Sequence, residues 1–150
     1  MIDLIGVIGA GECARDTANL AYDVGKEIAR AGYGLVCGGL GGVMEAASKG
    51  CKEAGGLTVG IIPQEESAAG NPYLDIIIPS GMGIMRNLLV VRSALGLIAV
   101  NGRYGTLSEI AFALQLHKPV IGLQSWDVSD EMIKAQSPEQ AVRLLIEKIQ

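Results

Sequence analysis

Three glycine clusters, each following an apolar run, hold most of the chemistry this sequence offers. They are Gly9-Ala10-Gly11-Glu12-Cys13-Ala14, Gly38-Gly39-Leu40-Gly41-Gly42 and Asn101-Gly102-Arg103-Tyr104-Gly105-Thr106. Glycine lets backbone approach a ligand closely. A helix starting beside such a turn offers free amides and the positive end of its dipole, a combination that suits phosphate. The candidate ligand- or phosphate-binding residues are therefore Gly9, Gly11, Gly38, Gly39, Gly41, Gly42, Gly102, Arg103, Tyr104, Gly105 and Thr106. Arg103 would add a charge-assisted contact to an anion. Each loop also has a purely steric reading, as a tight turn that lets a helix pack closely on the sheet.

The first loop fits G-x-G-x-x-A, the opening half of a dinucleotide fingerprint. The other half is an acidic residue at the end of the next strand. That strand ends Val36-Cys37-Gly38-Gly39, so the pattern speaks against NAD or FAD. Two side chains are the candidates for catalysis, Arg86 and Glu109. Thr106-Leu107-Ser108-Glu109 reads as a capping box, with Thr106 as the cap and Glu109 bonding back. A capping carboxylate would still line the loop. Arg86 sits among Met85, Leu88, Leu89 and Val91. An arginine in so apolar a helix needs a partner, either a structural carboxylate or a bound anion. Arg92 is expected at the helix end, reaching backbone carbonyls or solvent. His117, the single histidine, sits at a helix end, where cation–dipole stabilisation is the plainer role. Cys13, Cys37 and Cys51 lack a basic partner, and no metal-ligand spacing occurs, so no metal is expected.

These residues need strands and helices to position them. Apolar runs at 4–8, 34–37, 57–62, 75–78, 95–100 and 119–123 read as strands. Helical patterns fill 16–30, 42–54, 83–93, 106–117 and the stretch after Ser137-Pro138-Glu139-Gln140, a strong helix start. Residues 64–72 look like a polar surface loop, and 124–136 is ambiguous. Strands apolar throughout suit a parallel sheet covered on both faces. The alternation predicts an α/β, doubly wound, mostly parallel sheet in three α/β/α layers, Rossmann-like, as one domain over residues 1–150. In such sheets ligands sit at the carboxyl ends of the strands.

Composition narrows the function classes. The chain is 49% apolar and 19% charged, with net charge −4. It shows no basic cluster, so nucleic acid is not an expected partner. It has no basic leader segment and no apolar run of membrane-spanning length. With three unpaired cysteines, a cytoplasmic, non-membrane protein is expected.

The run Gly38-Gly39-Leu40-Gly41-Gly42-Val43-Met44, then Gly56-Leu57-Thr58-Val59-Gly60-Ile61-Ile62-Pro63, then Arg86, then Gly102-Arg103-Tyr104-Gly105-Thr106-Leu107-Ser108-Glu109 resembles the Lonely Guy (LOG) superfamily, some of whose members were labelled lysine decarboxylases. The likeness spans residues 4–123. Family proteins often carry PGGxGTxxE, preceded by an Arg-Lys pair fifteen residues before its Pro, and Arg86 and Asn101 keep that separation. The resemblance implies a Rossmann-like homo-oligomer, a dimer or tetramer. In active members the Arg and the Glu serve hydrolysis of nucleoside 5′-monophosphates to free base and ribose 5-phosphate; carried over, these are Arg86 and Glu109. Three positions depart: Asn101 replaces the Pro, Arg103 the second Gly, and Asn87 the Lys. The short chain looks more like a subgroup that includes molybdenum-cofactor carrier proteins. The implied ligand is a small phosphate-bearing molecule, either a nucleotide or a molybdopterin-type cofactor, and no cofactor is expected to be required. Whether such a ligand is turned over stays open. Nothing marks a pyridoxal-phosphate lysine, so a decarboxylase is not expected.

Overall fold

The computed structural model describes residues 1–150. Strand β1, Leu4–Ile8, shows why the apolar runs lack a polar face. Ile5 and Val7 point to one side of the sheet, Ile8 to the other, and all three are buried. Helix α1 (Arg15–Arg30) follows, then β2 (Gly34–Cys37), α2 (Val43–Glu53) and β3 (Thr58–Ile62). Strand β4 (Ile76–Pro79), helix α3 (Arg86–Ser93), β5 (Leu97–Val100) and α4 (Tyr104–Gln115) come next. The chain ends with β6 (Val120–Leu123), β7 (Ile133–Lys134) and α5 (Pro138–Ile149).

The seven strands form one sheet in the order β4-β3-β2-β1-β5-β6-β7, with every neighbouring pair parallel. Helices α1, α2 and α5 cover one face, burying Val24, Ile28, Ala47 and Leu145 against Val7, Leu35 and Ile98. Helices α3 and α4 cover the other, burying Val90, Val91, Ile110 and Ala113 against Ile8, Val36 and Ala99. The three-layer, doubly wound, Rossmann-like expectation is borne out. Helices α1 and α2 pack backbone to backbone: a Cβ on Gly25 would collide with Ala47 O, and one on Gly50 with Tyr22 O.

The boundaries differ from the sequence reading in instructive places. Strand β4 starts after Asp75, whose carboxylate instead accepts from Thr58 N (3.0 Å) and Lys52 Nζ (2.9 Å). Helix α4 starts at Tyr104 rather than Thr106, and its N-cap Arg103 makes no side-chain cap bond. The Thr106–Glu109 capping box does not form, because Glu109 is already a full turn into the helix. Residues 83–85 form a 3-10 turn ahead of α3. The ambiguous 124–136 stretch contributes the short strand β7, paired with β6. Lys118 Nζ, not Arg92, satisfies the carbonyls at the end of α3, donating to Val91, Arg92 and Ala94 at 2.6–2.9 Å; Arg92 is exposed. The cap at Ser137 forms as expected, its Oγ accepting from Gln140 N at 3.1 Å.

Candidate functional site

The chain leaves β1 for β2 on one side and returns through β5 on the other. The loops after β1, β2 and β5 therefore share the carboxyl edge at the point where strand order reverses, the usual crevice of open parallel sheets. They enclose a cleft of about 530 Å³ that both candidate catalytic residues line. The second and third glycine turns, far apart in sequence, face each other across it.

The glycines divide by role. Gly9, Gly11, Gly38, Gly41 and Gly105 line the cleft, together with Thr106 and Arg103. Gly39, Gly42, Gly102 and Tyr104 do not. Gly42 has φ +61, and a side chain there would strike Ala10 O. Gly102 has φ +111 and lies against Thr106. These two shape the turns rather than face the cleft. Tyr104 is turned outward, its ring 6.3 Å from that of Trp126. Of the free amides expected at helix starts, that of Val43 is bound to Ala10 O at 3.0 Å. Those of Gly11, Gly41, Gly105 and Thr106 donate to nothing in the chain and belong to cleft-lining residues.

Arg86 is 9% exposed. Its hydrogen bonds within the chain go to backbone and amide oxygens rather than to a carboxylate. Nε donates to Ile61 O (3.0 Å), Nη2 to Gly38 O (3.4 Å) and Nη1 to Asn87 Oδ1. A Cβ at Gly38 would occupy the space of the guanidinium. Burial pulls the Arg86 pKa down, and the nearby Glu109 charge opposes this. Glu109 is 7% exposed, and its carboxyl has no hydrogen-bond partner in the chain. Burial pushes its pKa from 4.5 to about 8, with the Arg86 charge pulling the other way. A carboxyl so placed is largely protonated near neutrality, so it can donate to a ligand oxygen and does not repel an anion.

The sequence reading missed several supports. Asn87, noted only as a departure, is buried and donates to Ser108 Oγ (3.2 Å), which donates to Gly105 O (2.6 Å). This relay joins α3 to the start of α4. Asn71 falls in the 64–72 stretch read as a surface loop but is buried, donating through Nδ2 to Leu40 O (3.0 Å) and through N to Gly39 O (2.9 Å). It clamps the second glycine loop. The Asn71-Pro72 turn was its one sequence signal. Trp126 Nε1 holds Arg103 O at 3.0 Å. Cys37 is fully buried beside Ser48, and burial raises its thiol pKa, so it packs rather than reacts. His117 is exposed with φ +59, away from the cleft. No group of His, Cys, Asp or Glu side chains is arranged to hold a metal ion, and no helix is long and apolar enough to cross a membrane.

Asn101 marks where the third loop parts from a proline-led one. Its φ is +51 and its amide donates to Leu123 O at 3.1 Å. Proline can do neither.

Comparison with known proteins gives three points of reference, beside a family model, described as SLOG cluster4, that matches residues 3–149. The chain is similar to the solved molybdenum cofactor binding protein of the phototrophic bacterium Rippkaea orientalis: TM-score 0.94, 38% identity, 100% of this chain and 99% of that one. It is similar to the molybdenum cofactor carrier protein of Chlamydomonas reinhardtii: TM-score 0.88, 32% identity, 98% of both chains. It is 34% identical over 128 residues to the cytokinin riboside 5′-monophosphate phosphoribohydrolase LOG5 of Arabidopsis thaliana, with 79% of this chain covered and 54% of the plant protein, so it spans about half that relative's length.

Proposed function

Taking as premise that the chain belongs to the SLOG cluster4 family, we propose that it binds a phosphate-bearing pterin of the molybdenum-cofactor type, or a nucleotide-like analogue, and holds it without turnover. The observation that carries this reading is the convergence of unpaired amides at Gly11, Gly41, Gly105 and Thr106 on one cleft at the switch point. The residues fit the phosphate end of such a cargo. Helix α4 presents its N-terminus, and Arg103 adds charge. The protonated Glu109 and the fixed Arg86 donate from deeper in the cleft. The neighbours in Rippkaea and Chlamydomonas, matched over nearly their whole length, support a pterin over a simple nucleotide.

Hydrolysis of a nucleoside 5′-monophosphate is the second reading, favoured by one observation: Arg86 and Glu109 line the same cleft. A carboxylate can stabilise the positive charge that builds on ribose as the C–N bond breaks, or activate the attacking water. Against it stand the non-proline turn at Asn101, the side chain of Arg103 in the phosphate loop and the raised pKa of Glu109.

The test is native mass spectrometry of freshly purified protein, followed by thermal shift with a pterin phosphate, its dephosphorylated form and AMP. Retention of a pterin phosphate, or stabilisation by it and not by the dephosphorylated compound, is expected. Saturation at one hundred times Kd would add about 2.7 kcal/mol. Release of adenine from AMP, lost in Glu109→Ala, would replace the proposal with the hydrolase reading. No response to any phosphate compound would overturn both.

A further inference from the structure

A second hollow opens beside the main cleft, at the carboxyl ends of β6 and β7, and measures about 250 Å³. Sites that enclose a drug-sized molecule run from about 300 to 1,000 Å³, so this one has room for a single ring system. Trp126 and the buried Met132 line it. Gln124, Gln136, Asp127 and Lys134 supply its polar lining. Asp127 and Lys134 pair with each other at 2.7 Å, so the hollow carries no net charge. The backbone amides of Gln124, Ser125, Trp126 and Asp127 donate to nothing in the chain.

Two features set this hollow apart from a gap under a loop. Gln124 holds φ +53, a left-handed backbone that glycine adopts freely and glutamine adopts at a cost. Strain of this kind gathers where a ligand is held. Tyr104 is 78% exposed, with its ring 6.3 Å from that of Trp126 and tilted 30° to it. The two rings make an aromatic shelf, and the shelf adjoins the phosphate loop. Trp126 Nε1 donates to Arg103 O at 3.0 Å, and Arg103 lines the main cleft.

We infer that the hollow and its aromatic shelf are a second subsite, which takes the flat heteroaromatic ring of a ligand whose phosphate lies in the main cleft. This rests on the phosphate reading of that cleft. A second phosphate would find no free cation in the hollow, since Lys134 is already paired. A neutral ring suits it. An aromatic wall stacks on the ring face, while the free amides and the two glutamines meet donors and acceptors along the ring edge. Purines and pterins share this chemistry. Trp126 and Gln124 are then specificity residues for the ring, separate from the glycine turns that hold the phosphate.

The test uses the full chain and three probes: ribose 5-phosphate, AMP and a pterin phosphate. Trp126 is the one tryptophan of the chain, so its fluorescence reports on the shelf directly. All three probes are expected to protect against heating. AMP is expected to quench Trp126, and both ringed probes to slow hydrogen exchange at amides 124–127; ribose 5-phosphate does neither. Stacking gives the ringed probes an affinity about tenfold above that of ribose 5-phosphate. Gln124→Gly is expected to shrink that advantage and leave ribose 5-phosphate binding unchanged. The same variant relieves the left-handed strain and raises the thermal midpoint of the free protein by about 2–4 °C. A purely structural glutamine would not combine a firmer fold with weaker ring binding. Ringed probes that bind with amides 124–127 unchanged, and equally well in Gln124→Gly, overturn this inference and leave the phosphate reading standing. No response to any probe overturns both.

Discussion

Glu109 concentrates the site's chemistry in one side chain, and its burial has a measurable cost. Below about pH 4.5 the carboxyl is protonated in both the folded and unfolded chain. Between 4.5 and about 8 the unfolded chain releases a proton that the folded chain keeps, so stability falls as pH rises and levels off above that range. Each tenfold change in acidity corresponds to about 1.4 kcal/mol, so the whole effect is at most a few kcal/mol. Glu109→Gln keeps the shape and removes the titration. Urea unfolding at about pH 6 and about pH 9 is expected to show the wild type losing stability that the variant keeps. Equal pH dependence in the two proteins would refute the account. The relay from Asn87 through Ser108 to Gly105 lives at the same scale. It was invisible in the sequence because its members sit on two helices.

At the scale of elements, the turns after β1, β2 and β5 are fixed by packing as much as by glycine. The third turn is held at Asn101 N by Leu123 O, at Asn101 O by the Ser125 hydroxyl and at Arg103 O by Trp126. Asn101→Pro, the change that would restore a proline-led loop, meets a left-handed φ and removes a made hydrogen bond. It is expected to cost more than about 1 kcal/mol and to lower the thermal midpoint. An unchanged midpoint would mean the loop relaxes to the proline form. The α1–α2 contact is tighter still. Gly25→Ala would press a methyl group into Ala47 O, and such overpacking costs about 1–3 kcal/mol. Chemical denaturation is the check, with a neutral result showing that the helices can separate. The sequence marked both helices but gave no sign of how closely they approach.

For the whole molecule, the sheet order turns three separated turns into one cleft. With net charge −4, and with Arg86 and Arg103 lining the cleft beside Glu12 and Glu109, the proposed ligand is a small phosphate compound and not a nucleic-acid backbone. Gel shift with single-stranded DNA at low salt is expected to show no complex. A salt-sensitive shift would point to a polyanion partner in place of a small one.

The sequence by itself determined the fold class and every main element except the short strand β7, because period and glycine punctuation are local signals. Apolar runs bounded by glycine specify buried parallel strands wherever they fall, and β1 and β2 have the bounds read for them. It also placed Arg86 and Glu109 in motifs at a recognisable separation. Only the tertiary structure decided which glycines face the cleft and which merely shape turns. It alone turned Tyr104 outward, showed Arg86 held by backbone carbonyls, and exchanged a capping role for Glu109 for a buried, partnerless one. These are properties of what lies opposite each residue across the sheet edge, and distance along the chain carries no information about that.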